Sequence, residues 1–177
     1  MIPAFDLSLY DVFIGIDVDK TSFAVTYKTK DKNVYKSLKM PASPEHLTNY
    51  FQNRFQDKSL LFAYEAGPTG YSLHDWLTTK KLSCMMVHPG NILKAPRDKV
   101  KTNRLDSLKI AQQLQGGELK GIRVPDDSYR QLRHLTHLRQ QYVQSHRSAI
   151  QRVKSFLLFE NIREHGLLEA KGSQGIK

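Results

Sequence analysis

Acidic side chains follow two of the apolar segments in the first half of the sequence. Asp17 ends the run VFIGID, and Glu65 comes directly after the run LLFAY. Both runs are short and apolar, and we expect them to form buried β-strands. A carboxylate at the end of such a strand is costly unless it is solvated, paired or bound to a metal. If the two strands are neighbours, the carboxylates repel each other, and a hard divalent cation such as Mg²⁺ would cancel the repulsion.

Further oxygen donors lie in the segment KTNRLD, residues 101–106. Asn103 and Asp106 are three positions apart, so they share one face if this segment is helical. Taken alone, the spacing is typical of a helix N-cap followed by an acid in the first turn. Together with Asp17 and Glu65, it favours a site for divalent metal ions.

The segments that carry these residues predict a mixed α/β domain. Three strands joined by short turns form an antiparallel meander, and buried strands with helical crossovers follow. The predicted elements of this part are strands 12–17, 21–29 and 34–40, a helix from Pro44 to about Phe55, strand 60–64, helix 71–79, strand 82–88 and helix 103–115. The order β-β-β-α-β-α-β-α is that of the ribonuclease-H-like, or RuvC-like, architecture.

A long helix is predicted beyond this domain, over about Ser128–Asn161. Apolar residues recur along it at spacings of three and four, which makes one apolar stripe for a partner helix. These residues are Leu135, Leu138, Tyr142, Ala149, Val153, Phe156 and Leu157. We therefore expect a catalytic domain over 1–120, a coiled-coil or dimerisation region over 121–165, and a disordered tail over 166–177.

Four short motifs give the sequence a specific resemblance. They are GIDV around Asp17, EAGPTGY from Glu65, VHP at 87–89 and KTNRLDSLKIA over 101–111. In order, spacing and flanking residues, the chain from about residue 12 to about 162 resembles the DEDD-type insertion-sequence transposases, the group related to the Piv DNA invertase. The resemblance implies a RuvC-like catalytic domain followed by a coiled-coil region.

The same resemblance implies a set of metal ligands and a reaction. The motif acids of the family hold Mg²⁺, for which Mn²⁺ commonly substitutes, and the reaction is cleavage and joining of DNA strands. Carried over, these positions are Asp17, Glu65 and Asp106, with Asn103 where the usual motif has Asp. An amide oxygen can ligate a metal but brings no charge, so we expect weaker metal binding at that position.

The family pattern also includes a C-terminal domain beyond the segments described so far. Family members continue into a C-terminal domain with a serine implicated in strand exchange, whereas this sequence ends at Lys177. We therefore expect the serine domain to be missing. The first hypothesis is that this chain is the catalytic domain of the enzyme. The second is that its active site is incomplete without the serine domain, so that only nucleic-acid binding and dimerisation remain.

The charge of the chain points to a polyanionic partner. The chain has 27 Lys and Arg residues and 17 Asp and Glu residues, which gives a net charge of +10. The basic residues expected to contact nucleic acid are Lys94, Arg97, Lys99, Lys101, Arg104, Arg147, Arg152 and Lys154. The resemblance implies DNA and a structured, guide-type non-coding RNA as partners, and the apolar stripe indicates a homodimer or higher oligomer.

Several classes of protein are disfavoured. Cys84 is the single cysteine, which excludes an intrachain disulfide and a cysteine-based zinc site. No apolar run approaches the roughly 20 residues that span a bilayer, so we expect no membrane partner. The resemblance implies a bacterial or archaeal cytoplasmic protein associated with the nucleoid.

Three other interpretations stay open. The segment GIDVDKT around Asp17 is similar to the phosphate loop of sugar kinases and actin-like ATPases, but no second Gly-rich loop follows. A non-catalytic nucleic-acid-binding and dimerisation fragment would bind DNA without metal. A nuclease similar to Holliday-junction resolvases would prefer four-way junctions and need no further domain.

Overall fold

The computed structural model describes residues 5–30, 32–67, 70–92 and 103–162. The chain divides into two compact units, Met1–Val124 and Pro125–Lys177, and each is considered by itself. The first unit contains the sheet and all the acidic residues predicted to bind metal.

The first unit is built on a five-stranded mixed sheet. Its strands are β1 (Val12–Val18), β2 (Ser22–Thr29), β3 (Lys32–Pro41), β4 (Leu60–Glu65) and β5 (Ser83–Val87), in the spatial order β3-β2-β1-β4-β5. The first three strands pair antiparallel, whereas β4 pairs parallel with both β1 and β5. The predicted meander and parallel half are confirmed, with strand ends that differ by one or two residues.

Helices connect and cover the strands. They are α1 (Pro44–Arg54), α2 (Ser72–Thr79), α3 (Asn103–Gln115) and, in the second unit, α4 (Asp127–Phe159). The α1 helix begins as predicted, since the Ser43 side chain accepts a hydrogen bond of 3.2 Å from the amide of His46 and Pro44 occupies the first turn. The bounds of α3 coincide with the predicted helix.

The sheet has a separate apolar core on each face because strand side chains alternate. Ile14 and Ile16 of β1 belong to one core, together with Phe51 of α1 and Leu77 of α2. Residues of the opposite face pack with α3 in the other core, and these are Phe13, Leu61, Ala63, Met85, Val87, Ile110 and Leu114. The sheet therefore lies between α1 and α2 on one side and α3 on the other, as in the ribonuclease-H-like fold.

The chain after α3 returns to the edge of the sheet. Gly121 forms an antiparallel bridge with Val87, and the amide of Ile122 donates a hydrogen bond of 2.8 Å to the carbonyl of Met86. Ile122 and Val124 also pack against the core that α1 and α2 share. Residues 121–124, which were predicted to lie in the coiled-coil region, thus belong to the first unit, which extends to Val124.

The described part of the second unit consists mainly of α4. The helix has 33 residues and begins one residue before its predicted start, because Asp126 caps it by accepting a 2.8 Å hydrogen bond from the amide of Tyr129. Along this described helix no side chain is buried. Most of the apolar stripe is exposed, at 65% for Leu135 and 69% for Tyr142, whereas Leu157 is half-buried. The predicted tail, 166–177, lies outside the described residues.

The sequence predicts no helix that spans a membrane. Among the helices that the structure describes, none combines the length and apolar character needed to cross a bilayer.

Candidate metal and nucleic-acid site

Asp17 and Glu65 occupy equivalent places on two neighbouring strands. The parallel register of β1 and β4 pairs Ile16 with Tyr64, and the next residues along the two strands are Asp17 and Glu65. By alternation, both lie on the sheet face that Gly15 and Ala63 share, which is the face covered by α3. Both residues are half-buried. The sheet thus places the two predicted metal ligands, Asp17 and Glu65, on neighbouring strands near the carboxyl ends of those strands.

Asp106 enters from α3, which makes a backbone contact with β1. A Cβ atom added to Gly15 would collide with the carbonyl oxygen of Ser107 and the amide nitrogen of Ala111. The helix therefore rests directly on the strand two residues before Asp17. Because Asp106 precedes Ser107, the contact holds this third, half-buried acid near the same edge of the sheet.

A chain of buried hydroxyl groups holds the start of α3 in place. Thr26 Oγ1 lies 2.8 Å from Ser107 Oγ and 2.8 Å from Ser37 Oγ, and Ser107 Oγ donates a 3.0 Å hydrogen bond to the carbonyl of Arg104. Each hydroxyl has one proton, so Thr26 donates to Ser107 and Ser37 donates to Thr26. The chain links β3, β2 and α3. Sequence reasoning missed it, although a threonine among the apolar residues of β2 was a signal.

The acids do not form a compact cluster. Within the parts of the chain that the structure describes, no three His, Cys, Asp or Glu side chains lie close enough together to hold a metal ion. Asp17 already has an interaction of its own in the structure. Asn103 is the first residue of α3, but its side chain is not among those described. Joint metal binding by these four residues therefore stays a prediction.

The predicted basic contacts divide between the two units. Arg104 is exposed at the beginning of α3, and Arg147, Arg152 and Lys154 are exposed along α4. After Asp127, the rest of α4 contains no acidic residue. The remaining four, Lys94, Arg97, Lys99 and Lys101, lie outside the described residues.

Cys84 is not part of the candidate site. It lies in β5 with its side chain in the core, and burial raises the pKa of its thiol far above the ordinary value. A buried thiol of this kind remains protonated and packs as a small apolar side chain.

The fold and the acidic edge define a class of protein. A mixed sheet in this order, with carboxylates at the ends of its central strands and a third acid on the covering helix, is a ribonuclease-H-like domain. The family model for DEDD-type IS110 transposases, described as "Transposase", matches residues 14–161. The chain therefore belongs to the IS110 family of DEDD-type transposases.

Two proteins that are similar to this chain are named as transposases. The chain is 34% identical over 151 residues to "Putative transposase y4qE" of Sinorhizobium fredii, which covers 84% of this chain and 39% of that protein. It is 28% identical over 103 residues to "Transposase for insertion sequence element IS1533" of Leptospira borgpetersenii, covering 57% of this chain and 30% of the other. The chain thus spans less than two fifths of the length of these relatives.

Proposed function

We propose that this chain is the metal-dependent catalytic part of a DNA transposase, which cleaves and joins DNA strands by phosphoryl transfer. One observation carries the proposal: Asp17 and Glu65 lie at equivalent ends of two adjacent parallel strands, under the helix that carries Asp106. Membership of the transposase family supports DNA as the substrate.

The donor chemistry of these residues fits Mg²⁺ or Mn²⁺, which prefer carboxylate, amide and water oxygens. Bound divalent ions would supply positive charge to the phosphate under attack and to its leaving oxygen. Asp17 is the central ligand in this proposal because β1 lies in the middle of the sheet. Glu65 and Asp106 flank it, and Asn103 would contribute a neutral oxygen. The half-buried carboxylates would repel one another less once a cation binds, so binding would draw them together.

Mn²⁺ titration by calorimetry tests the proposal. Binding by the parent chain should be lost in Asp17→Ala and in Glu65→Ala, because each removes one of the charges that attract the ion. Glu45→Ala is the matched control, since Glu45 is an exposed acid of α1, on the other side of the sheet. This control should bind Mn²⁺ like the parent.

A second measurement concerns the reaction itself. With Mn²⁺ present, a labelled DNA duplex should be nicked by the parent chain and by Glu45→Ala but not by Asp17→Ala. Mn²⁺ binding that survives in Asp17→Ala and Glu65→Ala would contradict the metal site. Preferential cleavage of four-way junctions would instead favour a junction-resolving nuclease.

A second candidate function, a nucleic-acid-binding and dimerisation module, is favoured by α4. We propose that its exposed apolar residues pair with the same helix of a second copy, since a stripe of this length is buried by a partner in coiled coils. The row of exposed Arg and Lys residues on the same helix would bind the phosphates of DNA or of a guide-type RNA. Metal-independent binding without any cleavage would support this module as the whole function of the chain. The cytoplasmic, nucleoid-associated localisation stays a prediction.

A further inference from the structure

A groove of about 440 Å³ lies between the outer strands of the antiparallel half of the sheet and the start of α3. Its lining comes from β2, β3 and α3, and consists of Ser22, Ala24, Ser37, Leu38, Lys39 and Arg104. Apart from Arg104, none of these residues belongs to the motifs of the sequence.

The described lining of the groove contains two cations and no acid. The cations are Lys39 and Arg104. Both cationic side chains are exposed, so their charged groups are available to a ligand from solvent. Lys offers a point charge with three donors and Arg a planar fork, and both suit phosphate oxygens.

One wall of the groove is fixed by the buried hydroxyl chain. Ser37 lines the groove and donates its only proton inward to Thr26, and the chain ends on the carbonyl of Arg104. The backbone that carries Arg104 is therefore tied to the strand that carries Ser37 and Lys39. The Ser37 hydroxyl has no second proton to donate to an anion in the groove, and the positive charge among the described lining residues comes from Lys39 and Arg104.

The register of the sheet places the groove beside the acidic edge. Asp17 of β1 is paired with Ala24 of β2, and Ala24 is paired with Lys39 of β3. Residues directly opposite one another share a face, so all three lie on the side that α3 covers. With strands about 4.8 Å apart, the backbone of Lys39 lies roughly 10 Å from that of Asp17.

We propose that this groove binds the phosphodiester backbone of the DNA strand, with Lys39 and Arg104 contacting a phosphate that neighbours the one at Asp17. The inference rests on the proposed function, since it takes the acidic edge as the place where the strand is cut. It assigns to Lys39 a contact with a DNA phosphate. It also gives the path of the DNA strand, which runs from β1 outward across β2 and β3. The small side chains Ala24 and Ser22 leave room for the backbone to approach the sheet.

Lys39→Ala tests the groove, with Lys36→Ala as its matched control. Lys36 is an exposed lysine of the same strand, three positions away, and alternation places it on the opposite face of the sheet. Both variants remove one positive charge. Affinity for a fluorescein-labelled single-stranded DNA is measured by anisotropy in EDTA over a series of salt concentrations, so that bound metal makes no contribution.

Lys39→Ala should weaken binding by at least about fivefold, because a charge-assisted hydrogen bond to phosphate is lost. The slope of log K against log salt should become shallower by about 0.7, the value for one phosphate contact on a single strand. Lys36→Ala should change affinity less than about twofold, as expected for a distant, screened charge.

The outcomes separate this inference from the proposed function. Equal effects of the two substitutions would overturn the groove while metal binding at Asp17 stands. A parent chain that binds no single-stranded DNA in EDTA would overturn the groove, whereas the proposed function is contradicted by the Mn²⁺ titration described above. An RNA strand of the same sequence is the parallel arm, and a loss confined to RNA would overturn the assignment to DNA.

Discussion

Gly15 is the point at which the central strand and α3 touch through their backbones. No side chain fits there, because its first carbon would collide with backbone atoms of Ser107 and Ala111. Backbone atoms cannot rotate away as a flexible side chain can. The position of Asp106 relative to Asp17 therefore depends on this one glycine.

Gly15→Ala should displace α3 and lower the free energy of unfolding by about 1–3 kcal/mol or more, as overpacking does. Urea denaturation measures the loss. Mn²⁺ binding should weaken in the same variant, because the helix that carries Asp106 moves. Gly67→Ala is the control, since the nearest atom of the described residues to its added Cβ is 3.8 Å away. A Gly15→Ala variant as stable as the parent would contradict the contact.

Asn103 stands where the family motif usually has an acid, so a single substitution tests its role. Asn103→Asp should tighten Mn²⁺ binding by at least about fivefold, because an added charge near the ion contributes about 1 kcal/mol or more. Asn103 is the first residue of α3, and an acid in the first turn of a helix interacts favourably with the helix dipole, so the free energy of unfolding should change by less than about 1 kcal/mol. Calorimetry gives the affinity, and unchanged affinity would contradict a role for Asn103 as a metal ligand.

At the scale of the element, α3 is the helix that joins the sheet to the site. Its apolar residues Ile110 and Leu114 pack in the core, and its first turns are anchored by hydroxyl groups rather than by apolar contacts. The packing fixes the distance of the helix from the sheet. The hydroxyl chain, through Ser107 and Thr26, fixes its rotation and register.

Thr26→Val should therefore loosen the start of α3. The shape of the side chain is kept, but Ser37 loses its acceptor and Ser107 its donor, which costs about 1–3 kcal/mol of stability. Hydrogen exchange should become faster at the amides of the first turns of α3. Thr26→Ser, which keeps the hydroxyl, is the control and should protect these amides as the parent does. Equal protection in Thr26→Val would contradict the anchoring role.

At the scale of the whole molecule, the chain combines an α/β unit with a helix that has no buried side chain along its described length. A helix of 33 residues is about 50 Å long at 1.5 Å per residue. Such a helix cannot be stabilised by its own unit alone when its apolar residues face solvent. A partner helix is the arrangement that buries them.

Sedimentation velocity tests this association. The parent chain should sediment as a dimer or larger, and replacing both Leu135 and Leu138 by Glu should give a monomer, because two charges would enter the paired stripe. Gln144→Glu is the matched control, since Gln144 is an exposed polar residue of α4 outside the apolar stripe, and this variant should keep the oligomeric state of the parent. A parent chain that is monomeric at high micromolar concentration would contradict the pairing.

The local patterns of the sequence determined the elements and their order. Alternation and apolar runs predicted all five strands, the start of α1 was predicted at Pro44, and the acids were predicted at the ends of β1 and β4. These features depend on residues close together in the chain, so they can be recognised without knowledge of the fold. The resemblance in four motifs added the family, which the family match confirmed.

Only the tertiary structure decided what these elements bring together. The contact of Gly15 with α3, the hydroxyl chain from Ser37 through Thr26 to Ser107, and the groove beside Lys39 each join segments far apart in sequence. The bridge between Gly121 and Val87 is also a contact between distant segments, and the first unit accordingly extends to Val124. Such contacts depend on strand register and on how closely a helix approaches the sheet, and periodicity along the chain contains neither quantity.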